Sequence, residues 1–214
     1  DALLDAGGSE SGGRIQVEAR DLLHFLGKAQ ATSQNGTGGV IQLIGREIEL
    51  GAAALIDASG ETGGGRIFVG GGQRGENPNL RNAERVTVAA GAVLRADAGA
   101  RGDGGRVILF AEDEMIFHGA ITARGGSLAG DGGFAEVSGK NELTYGGQVD
   151  LSAANGAPGT LLFDPDDVEV RAGDGTNSAN VFYADQISAE LAQQNVTLVT
   201  NDLGTISILE AAQI

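Results

Sequence analysis

Apolar and polar residues alternate along this chain in short bursts, seldom longer than six residues, before a glycine or an Asn/Asp turn interrupts them. RIQVE, VIQLI, REIEL, ERVTV and QVDL all follow a period of two. That period describes strands with one buried and one open face. The bursts come in threes. GGVIQLIG, REIELG and AALIDASGETG form one set, GGRVILFAED, EMIFHG and AITARGG another, and GGFAEVSGK, NELTYGG and QVDLSAANG a third. The pattern shifts toward a helical period at Tyr183–Gln194, where Ile187 and Leu191 fall on one face and Asp185 is placed to cap. NVTLVTN and GTISIL then read as two more strands.

The repeat has a fixed start. A Gly-Gly pair opens an alternating strand at Gly12, Gly38, Gly64, Gly104 and Gly132, and Pro158-Gly159 opens a sixth. The intervals are 26, 26, 40, 28 and 26 residues, and removing about 14 residues near Gly70–Ala83 restores the period. Three strands in a turn of this length predict an all-β fold, a right-handed three-sided parallel β-helix with a loop insertion and a short helix near the C-terminus. Coils are expected over residues 1–170, with the insertion at about 70–83. Residues 171–214 are expected to form an extension that lies laterally or caps the core. A β-sandwich is the structural alternative, but hairpins do not require a constant three-strand period. Ile15, Val17, Ile67, Val69, Val107 and Leu109 are expected inside on the first face. Ile48, Leu50, Val86, Val88, Met115 and Phe117 take that role on the second, and Leu55, Leu94, Ile121 and Val149 on the third. The glycines between strands are read as suppliers of positive φ for sharp turns. ALLDAGGSESGG at the start matches ALIDASGETGGG at Ala54–Gly65, so the first residues read as the third strand of a coil.

Composition narrows the function classes. The 214 residues carry a net charge of −15 and 37 glycines, with three prolines and no cysteine. Such a surface repels nucleic acid and anionic membranes, so neither is an expected partner. Disulfides and thiolate metal sites are ruled out, and no apolar run is long enough for a membrane-spanning helix, so membrane insertion is not expected.

Three segments carry a resemblance: GGGQRGENPNLRNAERV (Gly70–Val86), ITARGGSLAGDGGFAEVSGK (Ile121–Lys140) and QVDLSAANGAPGTLLFDPDDVEV (Gln148–Val170). In their order and spacing the chain resembles the filamentous-haemagglutinin-like large exoproteins exported by two-partner secretion. The resemblance implies a β-helical passenger, secreted or held at the bacterial cell surface, whose parent chain uses an outer-membrane secretion partner. It also implies adhesion to a glycan or protein on host or neighbouring cells. Asn77–Leu80 (NPNL) resembles a short motif read by the export partner, although an Asn-Pro-Asn turn accounts for it as well.

Candidate chemistry is sparse. Asp164, Asp166 and Asp167 in FDPDDVEV form the densest carboxylate group. Oxygen clusters suit calcium, the one cofactor the sequence suggests, yet neighbours on a strand point in alternate directions and Asp164-Pro165 reads as a turn. Asp103 and Asp131 occupy equivalent GDGG turns, and His24 and His118 lack spaced partners. Arg14, Arg66 and Arg106 follow the Gly pairs and are expected to form a charged stripe with Glu47, Glu49 and Glu112. The insertion, with Arg74, Glu76, Asn77, Asn79 and Arg81, is the expected place of ligand recognition, with a passive protective bulge as the competing view. The function expected is an adhesive, non-enzymatic stalk. A polysaccharide-active enzyme and a spacer for a distal toxin or adhesive tip are the alternatives.

Overall fold

A computed structural model describes residues 2–200 and 204–209. The expected extension at 171–214 therefore falls partly outside the described residues. The strands run β1 (Leu3–Asp5), β2 (Arg14–Glu18), β3 (Leu22–Phe25), β4 (Lys28–Gln30), β5 (Val40–Ile44), β6 (Glu47–Leu50) and β7 (Leu55–Asp57). There follow β8 (Arg66–Val69), β9 (Ala83–Val88), β10 (Val93–Arg95), the long β11 (Arg106–Phe117), β12 (Ala120–Thr122), β13 (Phe134–Gly139) and β14 (Glu142–Tyr145). The chain continues through β15 (Gln148–Asp150), β16 (Thr160–Phe163), β17 (Val168–Arg171), β18 (Val181–Tyr183), helix α1 (Ala184–Leu191), β19 (Asn195–Leu198) and β20 (Ile206–Leu209).

These strands stack as a three-sided parallel β-helix. The first face is the ladder β2-β5-β8-β11-β13-β16-β19, the second begins β3-β6-β9-β11-β14, and the third is β1-β4-β7-β10-β12-β15. β11 turns the corner between the first two faces and pairs with strands of both. Arg14 stacks on Val40, Arg66, Arg106, Phe134 and Thr160, which is the spacing of the Gly pairs.

The core is a narrow column of stacked side chains. Ile41, Ile67 and Val107 share one row, Ile48, Val86 and Met115 another, and Ile56, Leu94 and Ile121 a third, all sealed from solvent. The third-face register differs from expectation at one point. Ile56, not Leu55, faces inward, because the ALID segment offers two apolar neighbours and the ladder aligns Ile56 with Leu94.

The corner between the third and first faces explains the glycine pairs. A β-carbon on the first glycine of each pair, Gly12, Gly38, Gly64, Gly104 or Gly132, would lie 1.8–2.0 Å from a carbonyl oxygen of the following coil. On the second, from Gly39 to Gly159, it would lie 2.0–2.2 Å from a carbonyl oxygen of the preceding coil. Close backbone stacking, rather than positive φ, selects glycine at these pairs. The N–H of the second glycine donates across the corner to Ala31, Ala58, Ala96, Ala123 and Leu151 carbonyls at 2.7–2.8 Å. Asp103 and Asp131 brace the same corner, their Oδ1 atoms accepting the Asp131 and Ala157 backbone N–H at 2.8 Å.

The C-terminal end treats the three faces differently. β19 extends the first face, pairing Asn195 with Thr160. On the second face Asn180 bonds the Leu143 backbone in both directions, and β17 lies between β18 and β20. Among the described residues the third face ends at β15, where the Gln194 side-chain amide accepts from Leu151 N–H and donates to the Val149 carbonyl, both at 3.2 Å. One amide thus replaces a further strand. Glu190 on α1 accepts from the Tyr145 hydroxyl and the Gln194 amide, and Phe117, Tyr145, Phe163 and Phe182 fill the core beneath. Glu190 and Gln194 thereby fasten α1 and the residues after it to β14 and β15. Asp185 lies in the first turn of α1, and Tyr183 holds the N-cap position without a side-chain cap.

Two substitutions separate the corner from the core. Gly64→Ala should destabilise by about 1–3 kcal/mol or more through overpacking, and Leu94→Ala by about 2–5 kcal/mol through the cavity it leaves. Exposed Leu128→Ala should stay within about 0.5 kcal/mol. Urea midpoints measure all three.

Candidate functional site

The insertion leaves β8 through Gly70, in the left-handed region at φ 75°, and returns where the Ala83 N–H donates to the Gly70 carbonyl at 2.7 Å. Above this closed neck the loop lies flat across the outer side of the first face. Its Gln73–Gly75 turn rests on the Phe110 ring, which a β-carbon at Gly75 would meet at 2.6 Å. Arg74, itself left-handed at φ 54°, donates its backbone N–H to Glu136 Oε1 at 2.9 Å and pairs its Nε with Asp164 Oδ2 at 3.1 Å. Asn82 ties the loop to the coil beneath, donating to the Gly75 carbonyl at 2.9 Å and to Glu112 at 2.7 Å. In the other direction Arg81 donates to the Ala19 and Arg20 carbonyls. The loop thus reaches from the coil of β2 to the coil of β16.

Below the loop, Ile44, Ile108, Phe110 and Leu162 are buried although they sit on the outer side of their strands, and Leu80 of the loop is buried with them. Burial on both sides explains why β11 and β13 break the polar alternation of the other strands.

The five recognition candidates divide. Asn77 and Asn79 build the predicted turn, with Asn79 N–H donating to Asn77 Oδ1 at 3.0 Å and Leu80 N–H to the Asn77 carbonyl at 3.1 Å. Arg81 is committed to backbone carbonyls. Arg74 and Glu76 instead line two clefts. One, of about 410 Å³, places Gln73, Arg74 and Glu76 against Phe134, Thr160, Leu162 and Thr197. The other, of about 490 Å³, adds Phe110, Lys140, Asp164 and Asp166. In the first, the Arg106 guanidinium lies 4.6 Å over the Phe134 ring and donates to Gln73 at 2.7 Å.

Two of the three aspartates share the larger cleft and the third turns away. Asp164 faces Arg74, Asp166 lines the larger cleft, and Asp167 accepts the Thr205 N–H at 2.8 Å. Among the described residues no group of three His, Cys, Asp or Glu side chains is arranged to hold a metal. The expected charged stripe is also differently composed. On the first face Arg14 donates to Gln42, and Arg106 donates to Gln73 of the inserted loop. Glu47 on the second is paired by Arg46 at 3.0 Å and Arg85 at 2.8 Å, while Glu112 takes Lys140 at 3.4 Å. His24 lies 3.9 Å from Glu49, and both are exposed.

Glu136, Phe110, Phe134 and Lys140 complete the site and were not singled out from sequence. The signal for the first two was the uninterrupted burial pattern of VILFA and FAEVSG, too apolar for an open face. Glu136 is fully buried, and burial pushes its carboxyl up to about 7, against the pull of the Arg74 N–H and the Ser138 hydroxyl. Burial also raises Asp164, with Arg74 opposing. A carboxyl raised in the folded state favours folding below its ordinary range and loses that contribution as pH climbs to about 7. Glu136→Gln keeps an acceptor for Arg74 without the charge. The variant should be more stable than the parent at pH 8, by up to about 3 kcal/mol. Its stability should also fall less between pH 4.5 and 7, as read by thermal melts across that range.

The chain matches no family model and no curated protein. Among solved structures it is similar to the HMW1 secretion domain from Haemophilus influenzae, with a TM-score of 0.54 and 24% sequence identity. The match covers 73% of this chain and 47% of that one, so this chain spans about half its length, and what the two share is the fold.

Proposed function

We propose that this chain is a stalk segment of a two-partner-secretion exoprotein, secreted or displayed at the bacterial cell surface, which presents an adhesive surface and performs no chemistry. The observation that carries the reading is the parallel β-helix itself, whose coils stack in the manner of the HMW1 secretion domain. The ordered motifs at Gly70–Val86, Ile121–Lys140 and Gln148–Val170 support it further. In this reading the parent protein passes an outer-membrane secretion partner. The two clefts beside the inserted loop then meet a glycan or protein on host or neighbouring cells. A rigid scaffold carrying a pinned polar loop suits such contact, because little ordering entropy is lost on binding.

Deleting the loop would uncover Phe110 and Ile108, so point variants make the cleaner test. A glycan and matrix-protein array probed with the purified chain should give saturable binding, and Gln73→Ala with Glu76→Lys should weaken it about tenfold or more. Binding by neither protein would remove the adhesive role and leave the spacer reading.

A further inference from the structure

Helix α1 stands beside the third face and leaves a groove of about 500 Å³. Ala120, Thr122, Gln148 and Asp150 line its sheet side, and Ala189, Glu190 and Gln193 its helix side. The ladder sets Ala120 beside Gln148 and Thr122 beside Asp150, about 4.8 Å apart, and the Thr122 hydroxyl donates to Asp97 at 3.0 Å.

The chemistry of this lining is specific. Among the described residues the side-chain amides of Gln148 and Gln193 have no hydrogen-bond partner, although each can donate twice and accept twice. Asp150 adds a carboxylate, partly exposed, whose Oδ1 accepts the Ser152 N–H and whose Oδ2 lies 4.0 Å from Arg124 Nε. Planar amides and carboxylates present paired donors and acceptors, which match adjacent hydroxyls on one ring. Arg124 stands beside the groove but is paired with Asp97 at 2.8 Å and with Asp150 at 4.0 Å, and the chain carries −15, which disfavours an anionic ligand. The large apolar residues of the lining, Ile121 and Val149, belong to the core, so the aromatic or aliphatic anchors of a protein interface are missing. The walls are fixed in advance, because Glu190 is held by Tyr145 and Gln194, and Gln194 is bonded to the β15 backbone. The volume lies within the range of small-ligand sites.

We propose that the groove between the third face and α1 binds a neutral saccharide, with Gln148, Gln193 and Asp150 as the recognising side chains. The inference rests on the adhesive reading only in supposing that this surface meets glycans, and it places a second site away from the inserted loop. The test is titration of the isotope-labelled chain with lactose, maltose and cellobiose, following side-chain amide resonances by NMR. Saturable shifts of the Gln148 and Gln193 amides with at least one sugar are expected. Gln148→Ala with Gln193→Ala should weaken binding about tenfold or more, and Ala189→Trp should block it by filling the groove, with melting temperatures unchanged in both. Three results overturn the proposal: no shift with any of the sugars, shifts confined to other residues, or binding that survives Ala189→Trp. Array binding that persists in these variants and is lost in the Gln73/Glu76 variant would end this proposal while leaving the adhesive reading standing.

Discussion

The corner between the third and first faces has no room for a β-carbon, and the rest of the molecule is arranged around that restriction. From Gly38 onward each Gly pair is confined by a carbonyl of the coil on either side. One shift of register there would put a side chain into backbone, so the corner fixes the alignment of all three ladders at once. It also dictates where extra sequence can enter. The insertion emerges between β8 and β9, at the opposite corner, and the Gly pair after it resumes the stack unchanged. Individual core residues then contribute through burial that the corner has already aligned.

Much of this was legible in the chain. The Gly-Gly spacing gave the coil length, the alternation gave the faces, and the first- and second-face interiors are as the pattern indicated. The third face misled at Leu55–Ile56, where two apolar neighbours leave the phase undetermined and only stacking on Leu94 decides it. Glycine was read for its backbone freedom, whereas the corner uses its lack of a side chain, a demand set by residues a coil away.

The site was legible in its parts but not in its assembly. The loop and the aspartate cluster each stood out, yet nothing local joins Arg74 to Glu136 or to Asp164 across the intervening coils. A solenoid brings such residues together by stacking, so contact follows from coil number rather than from sequence distance. The same logic hid the cover over the first face. The apolar outer residues Ile44, Ile108 and Phe110 reveal it only once the loop is known to fold down upon them. By contrast, the exposed pairs around Arg46 and Arg85 weigh little in stability, since solvent screens them.

The inserted loop also has a mechanical meaning. Repeat stacks held only by neighbour-to-neighbour contacts yield to tension one unit at a time, from whichever end is pulled. Arg81 grips the carbonyls of Ala19 and Arg20, and Arg74 grips Asp164, so one loop is fastened to the coil of β2 and to the coil of β16. Load applied along the axis is thereby shared among the intervening coils. The loop works as a tie-rod, and separation of the coils it spans is opposed by bonds anchored several rungs apart.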